Sequence, residues 1–373
     1  MKTKNFYSFV FLFSYGFLFT TSFLSFSTDS SIFYDIYQIS KNMILPISWG
    51  ILLFQSRLFL KKWIIIHVFF LSIFTYFSYL SKDSSFLIAY IFILLSKFLD
   101  IRKCFRFLYF IALICITFII LYFLYKYYIL GEAEYLYDHI NERARYTFEM
   151  FHPNTFPMRF FIFLSLFFMV KNKVTFINVL FLLSLDIFIY LFSYSRSSFL
   201  LSTLLIVVMY MSQFTTIFRD KFIQRCMELS MFLFPMLSLF AMINYNKFEI
   251  LEYVNKVLSE RIRFSYEAYD LFGLAIFPRD MRVLIEEYNI IIDNLYVALS
   301  LSNLSLLILF SIVSYFFIKM LFREFLYKEA IIFFFIMIYS ITESHMINIG
   351  YNVTLLLISL IFYPNKIPFY KRR

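Results

Sequence analysis

Glycine and proline are scarce, five and seven in 373 residues, and histidine, cysteine and tryptophan number only four, three and two. So few glycines leave no glycine-rich loop to cradle a nucleotide phosphate. So few helix breakers favour long, uninterrupted helices. Cys104, Cys115 and Cys226 are isolated and show no metal-ligand spacing, and no cluster of His, Asp and Glu makes up for them. Neither a metal nor any other cofactor is expected. What the chain does have is apolar and aromatic: 62% hydrophobic residues, 56 Phe, 30 Tyr and a mean hydropathy of +0.77. A water-soluble fold could not keep so much apolar surface out of solvent, which points to a polytopic membrane protein.

Apolar runs give about twelve spans, near 6–26, 35–55, 63–81, 85–100, 107–129, 156–170, 174–192, 197–213, 227–244, 294–318, 330–343 and 346–362. Phe6 to Phe26 follows a basic start but lacks a small-residue cleavage site, so it reads as a retained first span. Little is left over for a soluble domain, and residues 1–373 read as one integral membrane domain.

The loops alternate in charge. Lys61, Lys103, Arg106, Lys171, Lys173, Arg219, Arg225, Arg323 and the ending Lys371-Arg372-Arg373 collect on one face. Most acid, from Glu132 to Glu149 and from Glu249 to Glu287, falls on the other. Positive charge stays cytoplasmic, so both termini are expected inside, N-in and C-in. The net charge of +10 then marks topology, with no nucleic-acid partner implied. Two larger external loops follow, about 130–155 and 245–293, the second expected to include an amphipathic helix at the membrane interface. Function is expected on that external face.

Several external helix starts carry polar residues: Asn154 and Thr155, then Ser195 and Arg196, then Asp293 and Asn294. Helix N-termini attract anions, and arginine offers a planar donor fork matched to phosphate oxygens. Each charge-assisted hydrogen bond is worth about 1.5–3 kcal/mol, so two arginines and a helix end suffice to hold a pyrophosphate. Arg196 is the sharpest candidate, because its short loop keeps it at the boundary; snorkelling to lipid headgroups is the plainer role. Asp186, about three turns earlier, is a candidate counter-charge or simply caps a polar pocket. His152, beside Glu142 and Glu149, is a candidate general base or an ordinary loop histidine. Arg143 and Arg145 could pair with those carboxylates or bind phosphate. Arg261 and Arg263, two apart, diverge on a helix, so one of them is expected at any shared site. Glu343 and His345 stand at the outer mouth of the last hairpin.

Phe151-His152-Pro153-Asn154, Tyr194-Ser195-Arg196-Ser197-Ser198, Ser259-Glu260-Arg261 leading to Leu271-Phe272-Gly273, and Ile292-Asp293-Asn294-Leu295-Tyr296 occur in this order. Their order and sidedness, over about residues 130 to 362, resemble the Wzy-type O-antigen and capsular polysaccharide polymerases, relatives of the O-antigen ligases. The chain departs from that pattern at Gly273-Leu274-Ala275, where a second Gly is common, and at Leu301-Ser302-Asn303-Leu304. The resemblance implies a bacterial cytoplasmic-membrane enzyme of polysaccharide biosynthesis that joins undecaprenyl-pyrophosphate-linked oligosaccharides at the external face. A sugar hydroxyl of one repeat unit attacks the anomeric carbon of another and lipid pyrophosphate leaves, without metal or nucleotide sugar. It further implies Arg196 and Arg261 as the pyrophosphate cations and His152 or Glu343 as proton acceptor. Arg145, Asn154, Ser195, Arg263, Asp293, Asn294 and His345 then surround the substrate, and a chain-length-regulating protein is an expected partner. A ligase-like transferase shares these features. A lipid-linked oligosaccharide flippase ranks below, since most charges lie in loops and glycine is rare, and a membrane-bound acyltransferase ranks third.

Overall fold

The computed structural model describes residues 2–24, 61–96, 99–138 and 142–362. The expected span at 35–55 and the basic C-terminal tail lie outside them. The described chain is overwhelmingly helical and divides into two compact units. One is built on Ile93–Thr215 together with the first helix, the other on Thr216–Ile361 together with the second helix and most of the third.

In the first unit, α1 (Lys2–Phe23) packs on the helix Ile101–Tyr125. Gly16 permits the close approach: a Cβ there would stand 2.6 Å from a ring carbon of Phe107. In the other unit lie α2 (Lys61–Ser81) and the start of α3 (Ser85–Leu95). The long helix α4 (Ile101–Tyr125) begins at Asp100, whose carboxylate accepts from the backbone N–H groups of Arg102 and Lys103. A wider turn, Lys126–Leu130, extends it, and Gly131 ends it in the left-handed region. Beyond it the loop at 130–155 folds into an antiparallel hairpin, β1 (Tyr135–Asp138) against β2 (Arg143–Tyr146), which the hydropathy pattern does not signal. Beneath it Phe123 meets Phe148 at 4.3 Å between ring centroids, and Phe148 meets Phe156 at 4.5 Å.

Helix α5 (Thr155–Val170) is buried along nearly its whole length, as its apolar residues on every side demand. A capping box from Thr175 and Asn178 starts α6 (Phe176–Ser193), and α7 (Arg196–Met211) returns beside it.

In the second unit, Asp220 caps α8 (Lys221–Ile243), which packs along the longest helix. Two short helices follow, α9 (Glu249–Val257) and α10 (Arg261–Phe272), then α11 (Arg282–Glu286). Helix α12 (Leu295–Arg323) starts at the Asn294 cap and is broken at Asn303, where φ is −169° and ψ 94°. Helix α13 (Tyr327–Tyr339) turns back against it. The expected span 346–362 is not a continuous α-helix: it consists of tight helical turns at Ser344–Ile347 and Val353–Ile358 and a final turn, α14 (Ser359–Phe362). The expected span 330–343 likewise ends at Tyr339, leaving Glu343 beyond the helix.

Among the described residues, four helical stretches are long and apolar enough to cross a membrane: Ile101–Leu130, Phe176–Ser193, Lys221–Ile243 and Leu295–Arg323. At about 1.5 Å per residue, the shortest of them, 18 residues, already approaches the hydrocarbon thickness of about 30 Å. Only 28–50% of their most apolar windows is buried inside the protein, so the remaining apolar surface is available to lipid. The other expected spans that are described form shorter apolar helices or helical turns.

Candidate functional site

The sequence-derived residues gather in two places, one in each unit. In the first unit the hairpin carries Arg145 toward the start of α5. Its Nε donates to the Ser193 carbonyl at 3.1 Å and its Nη2 to Asn154 Oδ1 at 2.8 Å. The guanidinium thus joins the ends of α5 and α6. The Asn154 N–H donates to His152 Nδ1 at 3.2 Å, which leaves that nitrogen acting as an acceptor on an exposed ring. Arg143 pairs with Asp138 across the hairpin at 3.6 Å and lies 4.4 Å from the Tyr194 ring centroid. Of the carboxylates near His152 in sequence, Glu149 is fully buried. It accepts from Lys126 Nζ at 2.6 Å and from the Glu134 N–H at 3.0 Å, which ties the loop down.

The turn between α6 and α7 is made by Tyr194 at φ +52°. Ser195 is buried, its hydroxyl donating to Ser198 Oγ at 3.0 Å. Arg196 is exposed as the first residue of α7 and makes no ion pair with any described residue. Asp186 is not its counter-charge: that carboxylate is buried and accepts from Thr203 Oγ1 at 2.9 Å.

The second unit assembles a tighter group. Arg261, the first residue of α10, places Nε 3.2 Å from Asp293 Oδ2 and Nη2 3.6 Å from Glu343 Oε1. Its Nη1 donates to the Thr342 carbonyl at 2.6 Å. Asp293 stands just before the Asn294 cap of α12 and is the solvent-facing member; Glu343 is 7% exposed. Oε1 of Glu343 has no hydrogen-bond partner among the described residues, since 3.6 Å is an ion-pair distance but too long for a hydrogen bond. Burial pushes the Glu343 carboxyl up to about 8; Arg261 pulls it down, and the neighbouring Asp293 charge pushes it up again. This places the carboxyl well above the ordinary carboxylate range, where a proton-transferring group can work.

Asn294 has a different task. Its Oδ1 accepts from the Tyr296 and Val297 N–H groups, and its Nδ2 donates to Ser238 Oγ at 3.0 Å, fixing the start of α12 against α8. Arg261 and Arg263 diverge, as their spacing requires. Arg263 turns outward to Glu260 and Glu267 at 3.2 and 3.3 Å. His345 sits in the turn after Glu343, its ring centroid 6.0 Å from that of Tyr351.

Two residues that position this group gave no signal in the sequence. Asn255, 1% exposed on α9, accepts from the N–H groups of both Ile262 and Arg263 at 3.0 Å. It thereby caps α10 from outside, because Ser259 and Glu260 are both left-handed and the Glu260 side chain does not cap. Arg279 donates to the carbonyls of Phe272 and Gly273 and twice to Leu301, at 2.6–3.2 Å. Together with the Ala275 N–H on the Ser300 carbonyl, it satisfies the acceptors opened by the break in α12. Among the described residues, no group of three His, Cys, Asp or Glu side chains could hold a metal ion. No family model, curated protein or solved structure matches the chain.

Proposed function

We propose that this protein is a metal-independent glycosyltransferase that lengthens a polysaccharide by joining lipid-pyrophosphate-linked repeat units at the external face of a bacterial cytoplasmic membrane. One observation carries the proposal: a nearly buried carboxyl, Glu343, held at ion-pair distance from Arg261 beside the N-terminus of an apolar helix. Glycosyl transfer from a lipid diphosphate needs a base for the acceptor hydroxyl and cationic donors for the leaving group.

In this reading the Glu343 carboxylate takes the proton of an acceptor sugar hydroxyl. The hydroxyl oxygen forms a bond to the anomeric carbon of the donor, and the bond from that carbon to the diphosphate oxygen breaks. The electron pair leaves with the lipid diphosphate. Arg261 stabilises that charge as the diphosphate displaces the more exposed Asp293 carboxylate from the guanidinium. Arg196, exposed at the N-terminus of its own helix, is the other arginine offered to a lipid phosphate. Arg145 and Asn154 fix the loop that carries His152, whose Nδ1 already accepts the Asn154 N–H.

Purified protein in proteoliposomes, supplied with lipid-linked repeat units and no nucleotide sugar or metal, should yield a ladder of lengthened glycans on a gel. Glu343→Gln should yield none while inserting normally. Movement of substrate across the bilayer without any lengthened product would identify a transporter instead, and transfer only to a different acceptor lipid would identify a ligase.

A further inference from the structure

Helix α9 presents three distinct sides. At about 100° per residue, Leu251, Asn255 and Leu258 point to one side, Glu249, Glu252 and Lys256 to a second, and Ile250, Tyr253 and Val257 to a third. Leu251 and Asn255 are buried against the protein. The charged side is exposed, as expected of a face in water. The apolar side is also exposed: Ile250 is 70%, Tyr253 71% and Val257 58% accessible. A helix that only needed solubility would not place three large apolar side chains together on a free face.

That face adjoins apolar surface that α8 leaves available to lipid. The apolar side of α8 left uncovered by the protein includes Met236, Leu237 and Phe240 near its end. Phe240 meets Phe248, which directly precedes α9, with ring centroids 5.8 Å apart. Exposed apolar residues therefore lead from a candidate membrane-crossing helix through Phe248 to the start of α9. From this continuity we infer that α9 lies in the lipid–water interface, with Ile250, Tyr253 and Val257 in the acyl region and its charged side in water.

The consequence reaches the candidate site. Asn255 belongs to α9 and holds the first N–H groups of α10, the helix that starts with Arg261. Seating α9 on the bilayer thus fixes the depth of the start of α10, which carries the guanidinium.

The test is optical and independent of any catalytic activity. The two native tryptophans, Trp49 and Trp63, are replaced by Phe, and a single indole is introduced by Tyr253→Trp or, separately, by Glu252→Trp. Each full-length variant is reconstituted in phosphatidylcholine–phosphatidylglycerol vesicles with and without brominated acyl chains. The indole at position 253 should emit to the blue and lose at least half its intensity to bromine. The indole at 252 should emit to the red and be quenched by aqueous acrylamide. Ile250→Trp repeats the measurement should Tyr253→Trp fail to fold, and should behave as position 253. Equal acrylamide quenching at 252 and 253 would overturn the inference by placing the face in water. Blue emission without bromine quenching would overturn it too, by showing that protein covers the face. Failure of the glycosyltransferase reading would leave all these signals unchanged.

Discussion

The rate of glycan lengthening should follow the ionisation of Glu343. Burial and the nearby Asp293 charge hold that carboxyl protonated up to about pH 8, against an ordinary value of 4.5. A base works only when deprotonated, which describes about one tenth of the molecules at pH 7 and about nine tenths at pH 9. Turnover should therefore rise about tenfold across those two pH values and level off above them. Asp293→Asn removes the negative neighbour that raises the carboxyl, so the rise should move to lower pH. The assay is initial rate against pH in proteoliposomes, paired with infrared difference spectra, wild type against Glu343→Gln, that follow the protonated-carboxyl stretch. The same shift carries a stability term of fixed sign. The folded protein keeps a proton that the unfolded chain has released, so this contribution is complete below about pH 4.5 and is lost as pH rises through about 8. A flat rate profile from pH 6 to 9, or a carboxyl stretch already gone at pH 6, would refute the assignment of Glu343 as the base.

Arg196→Ala should abolish long glycan in cells while protein level and membrane insertion stay normal; persistence of long polymer on gels would remove Arg196 from the diphosphate role. Asn255→Ala takes the acceptor from two N–H groups at the start of α10 and should cost about 1–2 kcal/mol, read as a lower thermal midpoint in detergent. Arg279→Lys keeps the charge but loses the fork that serves three carbonyls. It should therefore destabilise by more than about 1.5 kcal/mol and expose the 273–280 segment to protease.

The legible part of this fold is the part set by local chemistry. Asp100, Thr175, Asp220 and Asn294 stand just before apolar runs, and each caps the helix that follows. Helices α6 and α12 start within two residues of where the hydropathy pattern puts them, while α4 and α8 start six residues earlier with their basic flanks drawn into the helix. Over 346–362 the backbone departs from the expected continuous α-helix, because hydropathy reports that a segment is apolar, not how its backbone is bonded. Here Asn352 takes over, donating to the Met346 carbonyl and accepting from the Thr354 backbone N–H and hydroxyl. These side-chain bonds compete with the regular ladder and allow tight turns where an α-helix was expected. In the candidate site, Arg261, Asp293 and Glu343 were each visible as polar residues at the edges of apolar runs. Their meeting was not, since it depends on Asn255 turning α10 and on the 81 residues between Arg261 and Glu343 folding back.

The break in α12 shows why a glycine pattern is a poor guide to such loops. At Leu301-Ser302-Asn303-Leu304 the chain has no glycine, yet the helix is interrupted, and Asn303 adopts an extended backbone that any residue can take. What an interrupted helix in an apolar setting needs is acceptors and donors for the groups it frees. The 273–280 segment supplies them: the Ala275 N–H reaches Ser300, the Arg279 N–H reaches Ser302, and the Ala275 carbonyl accepts from Leu304. Gly273, at φ +63° after α10, provides the single backbone turn that sends this segment into the gap. Changing Gly273 to Ala should then disturb α12 as well as α10, and hydrogen exchange at Leu304 and Leu306 would report it. Exchange unchanged there would show that the gap is filled without that turn.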